Sequence, residues 1–256
     1  MRYLVIPDIH GRTFWKDVTK NIDDYDKVIF LGDYLDPYPF EHISEENAIT
    51  NFLEIIDFAE QHSDKIIMLL GNHDLHYINS DFAAICGGSR YMYKYAEDIN
   101  NIFMKHIKMF HIIYQTDKTL FSHAGVFKSW LDKWNLTLGS DFDKLILQTD
   151  TKHTFRRSKT IPLADVSYYR GGESEIGSCV WSDVDEKREV DESGMLINVM
   201  GINKYQIFGH TLQVHWKDSS MKEIEFGNPI ICYCWAMLDN GSAYSYDEDT
   251  KEIVKV

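Results

Sequence analysis

One stretch of the sequence joins an apolar run to a cluster of polar residues: Lys65-Ile66-Ile67-Met68-Leu69-Leu70-Gly71-Asn72-His73-Asp74. The apolar run is typical of a buried strand. At its end the chain turns on Gly71 and presents an amide, an imidazole and a carboxylate in succession. Such groups are costly to bury unless each finds a partner, and strand ends in α/β sheets are where sites are built. The stretch by itself is a weak signal, which gains weight only if other strands end in the same way.

Two earlier segments do end in this way. Arg2–Ile6 predicts a short strand, which is followed by Pro7-Asp8-Ile9-His10-Gly11. Residues 27–31 predict a second buried strand, which is followed by Gly32-Asp33-Tyr34-Leu35-Asp36. Residues two apart in an extended chain point to the same side, so Asp8 and His10 should share a face.

Helices are predicted between and after these strands. Thr13 could cap a helix over residues 14–22, and Ser44 is a good N-cap for a longer helix. The apolar stripe of this longer helix is Ala48, Ile49, Phe52, Leu53, Ile56 and Ala59. A further helix is predicted over residues 91–110. Apolar strands that alternate with helices indicate a parallel sheet covered by helices.

Two more predicted strands end in histidine. Residues 111–115 and 119–122 predict a hairpin, whose second arm ends in His123-Ala124-Gly125. Residues 205–208 predict a strand that ends in Gly209-His210-Thr211. The tail predicts antiparallel strands with an Asn-Gly hairpin turn, at residues 229–238, 243–246 and 252–256.

Composition and charge limit the classes of function. The length of 256 residues predicts one domain over residues 1–256, with an elaborated segment at 126–200. The net charge of −14 argues against binding to nucleic acid backbones, which needs a basic face. No segment has the roughly 18 apolar residues that span a membrane, and no signal peptide is recognisable. A cytoplasmic protein is therefore expected, with its four cysteines as free thiols.

Five predicted strands thus end in residue types that bind metal ions: Asp8, His10, Asp33, Asp36, Asn72, His73, His123 and His210. A hydrogen-bonded core histidine is the ordinary explanation for any one of the imidazoles, but it does not account for five strand ends together. Mixed imidazole and carboxylate ligands suit manganese, iron, zinc, nickel or cobalt. There are too many ligands for one ion. Two ions about 3.5–4 Å apart can share a bridging carboxylate, acidify a water and stabilise charge on a phosphoryl group.

The five motifs resemble, in type and order, those of the calcineurin-like metallophosphoesterases. They are Asp8-Ile9-His10-Gly11, Gly32-Asp33-Tyr34-Leu35-Asp36, Gly71-Asn72-His73-Asp74, His123-Ala124-Gly125 and Gly209-His210. The chain looks like the branch of serine/threonine phosphoprotein phosphatases and symmetrical diadenosine tetraphosphatases. Residues 70–76 and Ser89-Arg90 are similar to the tetraphosphatases, whereas Val180-Trp181-Ser182-Asp183 is similar to the protein phosphatases. The resemblance implies an α/β (α+β) fold of four layers, a β-sandwich of two mixed sheets flanked by helices, with the tail strands in the second sheet.

The resemblance also implies roles for the motif residues. Six of them would hold two divalent or trivalent metal ions, preferably manganese: Asp8 and His10 the first, Asp33 as the bridge, and Asn72, His123 and His210 the second. His73 would not be a ligand. It would protonate the leaving oxygen, with Asp36 orienting and charging its imidazole. Asp74 has no implied role, and we expect it to brace the turn.

One position departs from the family pattern. The second motif of the family usually carries an arginine after the position of Asp36, where it grips the substrate phosphate, and this chain has Pro37. Another cation must then assist the metals, and Arg90 is the first candidate because it matches the tetraphosphatase-like pattern. For each competing cation a solvated surface charge is the alternative explanation; these are Arg170, Arg188, Lys152, His153, Arg156, Arg157 and Lys159.

The leading hypothesis is a dinuclear metal-dependent phosphoesterase that hydrolyses a phosphomonoester by direct attack of a metal-bridging hydroxide. Its phosphorylated substrate would be a protein, and the alternative within this class is a hydrolase of dinucleoside polyphosphates. The acidic charge disfavours a nuclease. The alternative of another class is a metal-stabilised binding protein that has lost catalysis, and the presence of all six expected ligands and of His73 argues against it. No oligomeric state is predicted.

Overall fold

Two β-sheets stack on each other, and the candidate site residues follow the ends of their strands. The structure, a computed structural model, describes residues 1–79, 82, 90–139, 142, 144–149, 161–186, 200–211, 214–216, 224–226, 229–232, 235–238 and 241–256. The strands are β1 (Arg2–Ile6), β2 (Lys27–Phe30), β3 (Ile66–Leu69), β4 (Phe110–His111), β5 (Ile113–Gln115), β6 (Thr119–Ser122), β7 (Tyr205–Phe208), β8 (Val214–Trp216), β9 (Ile224–Phe226), β10 (Ile230–Ile231), β11 (Trp235–Met237), β12 (Tyr244–Asp247) and β13 (Ile253–Lys255). The α-helices are α1 (Trp15–Val18), α2 (Glu45–Gln61), α3 (Asn72–Ile78), α4 (Ala96–His106), α5 (Lys128–Trp134) and α6 (Lys144–Thr149).

Both sheets are mixed. The first has the order β13-β12-β1-β2-β3-β4, in which β1 to β4 run parallel and β12 and β13 are antiparallel. The second has the order β10-β11-β7-β6-β5, with a parallel centre and antiparallel edges. β8 and β9 form a separate antiparallel pair. The predicted sandwich of two mixed sheets flanked by helices is confirmed, as is the predicted hairpin of β5 and β6.

Alternate residues of the central strands face two different cores. On β1, Tyr3 and Val5 belong to the cluster between the two sheets, where Phe121 and Ile207 of the second sheet meet them. Leu4 and Ile6 belong to the larger cluster that the helices complete. A strand has a period of two, so a strand that is covered on both faces must be apolar throughout.

Three helix predictions need correction. The predicted helix over 14–22 divides into α1 and the 3-10 turn Thr19–Asp24, because the Thr19 hydroxyl donates to the Trp15 carbonyl (2.7 Å), a contact that bends helices. The helix predicted over 91–110 contracts to α4, with 3-10 turns on both sides. In α2 Leu53 is 41% exposed and Ile55 is buried in its place, since Ile55 follows Phe52 by three residues and shares its face. The Ser44 cap is confirmed: its Oγ accepts from the Asn47 amide (3.1 Å).

The tail differs from the predicted antiparallel run in the second sheet. β11 pairs in parallel with β7 in the second sheet, whereas β12 pairs with β1 in the first. The chain therefore passes from one sheet to the other between β11 and β12, where a hairpin was predicted. The hairpin lies one step later, between β12 and β13. β1 requires this crossover, because its free edge would otherwise leave buried backbone groups unpaired.

Several predictions fall on residues outside the described ranges. These are Ser89, the basic cluster at 152–159, Arg188 and the cysteines at 86 and 234. The single domain and the elaboration at 126–200 stay predictions. Of the described cysteines, Cys179 is a buried free thiol. Among the described residues, every helix is too short or too polar to cross a membrane.

Candidate metal centre

The six predicted ligands meet where the parallel strands of both sheets end. Neighbouring parallel strands end at the same edge, so the loops after β1, β2 and β3 lie side by side. The same holds for β6 and β7 in the second sheet. Five of the six side chains are buried and His210 is partly buried: Asp8, His10, Asp33, Asn72, His123 and His210.

Backbone conformation in these loops is unusual. Four non-glycine residues of the site have left-handed backbone, with φ of 45° at His10, 52° at Asp33, 60° at Asp36 and 70° at His210. Such conformations cost energy and persist where the surroundings enforce them, which is common at functional sites. Gly71 meets the second loop so closely that a Cβ there would lie 2.2 Å from Oδ1 of Asp33.

Asp74 ties two of the loops together. Its carboxylate accepts the backbone N–H groups of Gly71 (2.8 Å), Asp33 (2.7 Å) and Tyr34 (3.0 Å). Burial, reinforced by the charge of Asp33, raises the pKa of this carboxyl well above its usual value. Asp74 braces the loops as expected, although residues 72–78 continue as α3 and not as a turn.

Two imidazoles have a defined tautomer. Nδ1 of His10 lies 2.7 Å from the carbonyl oxygen of Leu35, and Nδ1 of His123 lies 2.9 Å from that of Leu31. A carbonyl oxygen only accepts, so each Nδ1 carries the proton and each Nε2 turns a lone pair towards the carboxylates. This is the orientation that metal-ligating histidines adopt.

Electron-pair donors converge on that lone pair of His123. Its Nε2 lies 3.0 Å from Oδ1 of Asn72, 2.9 Å from Nδ1 of His210 and 3.5 Å from Oδ2 of Asp33. Ligands that bind one ion at about 2.1 Å lie about 3 Å from each other, so this spacing fits a cation. Oδ2 of Asp33 also lies 3.6 Å from Nε2 of His10, which places one carboxylate oxygen between the two histidine groups.

The carboxylate of Asp8 lies further from the His10 imidazole than that of Asp33 does. Its Oδ2 is 3.9 Å from Nε2 of His10, and its Oδ1 accepts the backbone N–H of His210 (3.0 Å). Burial, with a contribution from Asp33, raises the pKa of Asp8. Burial alone would also raise the pKa of Asp33. The imidazoles of His123, His73 and His10 outweigh burial, so the pKa of Asp33 is lowered. The charge of Asp33 therefore opposes the ionisation of the buried Asp8 carboxyl. A bound cation would relieve this opposition, so the residues fit the expected metal.

His73 lies beside this donor set, with one of its ring nitrogens within 4.8 Å of ligand atoms of His10 and Asp33. Its Nδ1 lies 2.6 Å from Oδ2 of Asp36, whose other oxygen accepts the Tyr77 hydroxyl. Its backbone N–H donates to Oδ1 of Asp33 (2.9 Å). Burial lowers the pKa of His73, but Asp33 and Asp36 outweigh burial and raise it. The arrangement suits a protonated imidazole.

Two arginines flank the centre. Nη2 of Arg90 lies 3.3 Å from Nε2 of His73, and its guanidinium carbon lies 3.7 Å from the centroid of the Tyr38 ring. Arg170 donates to the Thr211 hydroxyl beside His210 and pairs with Asp183, Nε to Oδ2, at 2.9 Å. Arg90 thus stands beside the histidine without a carboxylate partner in the described ranges, whereas Arg170 is neutralised.

Residues Trp181-Ser182-Asp183 lie against the part of the site that the second sheet contributes, next to His123 and His210. The Ser182 hydroxyl lies 2.6 Å from the carbonyl oxygen of Ala124 and 2.9 Å from that of Gly125, directly after His123. The ring of Trp181 lies 5.9 Å, centroid to centroid, from that of His210. These residues therefore line and brace the site.

Sequence reasoning gave His76 no role in the site and missed Tyr77. His76 is fully buried, with its ring centroid 5.6 Å from that of His73 and 5.9 Å from that of Trp181. A signal was available: residues three and four apart on a helix share a face, so a helix starting at Asn72 would have placed His76 and Tyr77 beside His73.

The motif geometry agrees with a comparison against known families. The profile of the calcineurin-like phosphoesterase family matches residues 1–253. The chain belongs to this family. It is accordingly a metal-dependent phosphoesterase, a hydrolase that acts on phosphate esters. No curated protein matches the chain.

Solved structures of phosphatases share the fold. A cold-active protein-tyrosine phosphatase from a psychrophilic Shewanella species has 14% identity and a TM-score of 0.59, with 99% of this chain and 80% of that chain covered. A protein serine/threonine phosphatase from Saccharomyces cerevisiae has 14% identity and a TM-score of 0.53, with 100% and 79% covered. At these identities the similarity concerns the fold.

Proposed function

We propose that this phosphoesterase is a dinuclear phosphatase that hydrolyses a phosphomonoester. One observation carries the proposal: Oδ2 of Asp33 lies 3.6 Å from Nε2 of His10 and 3.5 Å from Nε2 of His123, while Nδ1 of His73 pairs with Asp36. The donor spacing supports two cations with Asp33 between them. Asp8 and His10 would hold one ion, and Asn72, His123 and His210 would hold the other.

The donor set favours manganese, with iron, zinc, nickel or cobalt as alternatives, because it mixes imidazole with oxygen ligands. Bound cations at such a centre supply Lewis acidity, which acidifies water and offsets charge on phosphoryl oxygens. The protein contributes the orientation. The carbonyls of Leu35 and Leu31 turn His10 and His123 inward, and Asp74 holds the loop of Asp33 in place.

His73 would supply the proton for the leaving oxygen. The carboxylate of Asp36, at 2.6 Å from Nδ1, stabilises the protonated imidazole and leaves Nε2 as the proton donor. The hydroxyl of Tyr77 on the other oxygen of Asp36 fixes the orientation of that carboxylate. General acid catalysis of this kind typically contributes about 10²–10⁴-fold in rate.

Arg90 would bind the substrate phosphate in place of the missing arginine. Its guanidinium lies next to Nε2 of His73, where the phosphoryl group must be when that nitrogen protonates the leaving oxygen. Stacking on Tyr38 holds the guanidinium plane. Arginine recognises phosphate oxygens with two parallel hydrogen bonds, which a fixed plane favours.

A phosphomonoester is favoured over a dinucleoside polyphosphate by the element Trp181-Ser182-Asp183 and by the names of the structural neighbours, both of which are protein phosphatases. The manganese-loaded protein should therefore release phosphate from phosphotyrosine or phosphoserine peptides faster than it cleaves diadenosine tetraphosphate or a phosphodiester. A product assay compares the four substrates side by side: it detects inorganic phosphate from the peptides, nucleotide products from the tetraphosphate and the monoester from the phosphodiester. Faster cleavage of the tetraphosphate would instead favour the alternative that residues 70–76 support.

His73→Asn separates an enzyme from a metal-stabilised binding protein. Asparagine retains a polar group but cannot protonate the leaving group, so turnover should fall by about 10²-fold or more while bound metal stays constant. His106→Asn, on α4 and away from the centre, is the matched control. No turnover by the unmodified protein with manganese, nickel or zinc would contradict the proposal.

A further inference from the structure

His76 is a buried histidine for which the proposed function has no use. It is fully buried on α3, and neither ring nitrogen has a hydrogen-bond partner within the described part of the chain. A buried polar group without a partner destabilises the folded state, because it has lost its hydrogen bonds to water without replacing them. Groups of this kind are rare in folded proteins and call for an explanation.

The surroundings of His76 supply two further ligand types. One ligand atom from each of Asp36, His73 and His76 lies within 4.8 Å of the other two, and all three side chains are buried. The helix accounts for this, because His76 follows His73 by three residues and shares its face. None of the six residues that would hold the two catalytic ions belongs to this group of three.

The chemistry of the group favours zinc. Two imidazoles and one carboxylate are zinc ligands in many proteins, whereas manganese and magnesium prefer sites richer in oxygen. Burial, reinforced by His73, lowers the pKa of His76 to about 3, which leaves its lone pair free for a metal. The positive charge of Arg90, 3.3 Å from Nε2 of His73, opposes a cation there. The site should therefore be weaker than the six-ligand centre and fill after it.

We propose that Asp36, His73 and His76 form a third cation site, which takes zinc and inhibits the enzyme. An ion held by these three side chains engages the proton donor and its carboxylate partner together. Turnover would stop although the two catalytic ions stay bound. The inhibition rests on the proposed role of His73; the binding of the ion does not.

The first test counts bound zinc. The full chain, stripped of metal, is dialysed against chelator-buffered zinc, and bound zinc is measured by mass spectrometry. The unmodified protein should hold one equivalent more than His76→Asn and His76→Phe, of which the second keeps the buried volume. His106→Asn, which removes a histidine paired with Glu60, should hold as much as the unmodified protein. Equal counts in the unmodified protein and both His76 variants would overturn the site.

The second test measures inhibition. Zinc is added to the manganese-loaded enzyme in constant excess manganese, with p-nitrophenyl phosphate as substrate. The half-inhibitory zinc concentration should rise at least about tenfold in both His76 variants, because a lost ligand costs at least as much as a lost ligand-orienting group. It should not change in His106→Asn.

Unchanged inhibition in the His76 variants would overturn the inhibitory role, because zinc would then act at the six-ligand centre. Absence of any turnover in the unmodified enzyme would contradict the proposed function, while the zinc count would still decide the third site. If a His76 variant is folded but inactive, its zinc count still tests the third site.

Discussion

The two sheets contribute to the site in different ways. The first-sheet half, from the loops after β1, β2 and β3, is held by short contacts within itself, chiefly the three backbone N–H groups on Asp74. The second-sheet half consists of His123 and His210, and it depends on distant groups. Leu31 orients the ring of His123, and Asp8 holds the backbone N–H of His210.

Because of this difference, the second-sheet half depends on the first-sheet half more than the reverse. Both histidines of the second half donate a hydrogen bond to the first half, and Asp33 of the first half approaches both histidine groups. Damage to the first half should therefore reach every ligand, whereas damage to the supports of the second half should stay local. The predictions below test this asymmetry.

The largest effect is expected for Asp33→Asn. The variant loses the negative charge between the histidine groups, so kcat with p-nitrophenyl phosphate and manganese should fall by more than about 10³-fold, or roughly 4 kcal/mol. The amide oxygen can still accept the N–H of His73, so circular dichroism should show an intact fold. Asp132→Asn, at an exposed pair with Lys128, is the control. Near-normal turnover would refute the central place of Asp33.

Asp74→Ala should have the largest effect on stability. It leaves three backbone N–H groups without their acceptor, and each such loss costs about 1–3 kcal/mol when buried. We expect the free energy of unfolding in urea to fall by at least about 3 kcal/mol and metal binding to weaken. Asp98→Ala on the exposed face of α4 should change it by less than about 0.5 kcal/mol. Similar losses in both variants would mean that Asp74 does not brace the loops.

The two arginines should differ in their effect on substrate binding. Arg90→Met should lower kcat/KM by about 100-fold, because a charged hydrogen bond to phosphate is typically worth about 1.5–3 kcal/mol. Arg170→Met should lower it by no more than about tenfold, because Asp183 already neutralises that guanidinium. Kinetics with a phosphopeptide measure both. The reverse order would make Arg170 the phosphate ligand.

The smallest effect is expected for Ser182→Ala in the second half. Its hydroxyl braces the carbonyls of Ala124 and Gly125, and loss of such a hydrogen bond typically costs about 1 kcal/mol. Turnover should stay within about threefold of normal, because His123 keeps its contact with Leu31. A stability loss equal to that of Asp74→Ala would show that the two halves are equally dependent.

Much of the site was predictable because it is local in sequence. Each motif lies directly after an apolar run, so the strand and the polar residues could be recognised together. The tail shows the limit of that reasoning. The Asn-Gly dipeptide signals a hairpin, but β11 and β12 pair in different sheets, because the open edge of β1 requires a partner that local sequence cannot reveal.

The sequence alone determined the residue types at the five strand ends and the alternation of strands and helices, since both are written in neighbouring residues. It thereby indicated the family and the six candidate metal ligands. Only the tertiary structure decided that Asp33 approaches both histidine groups, that Arg90 lies against His73, and that His76 is buried beside Asp36 and His73. These contacts join elements far apart in the chain or depend on where α3 begins, so they follow from packing.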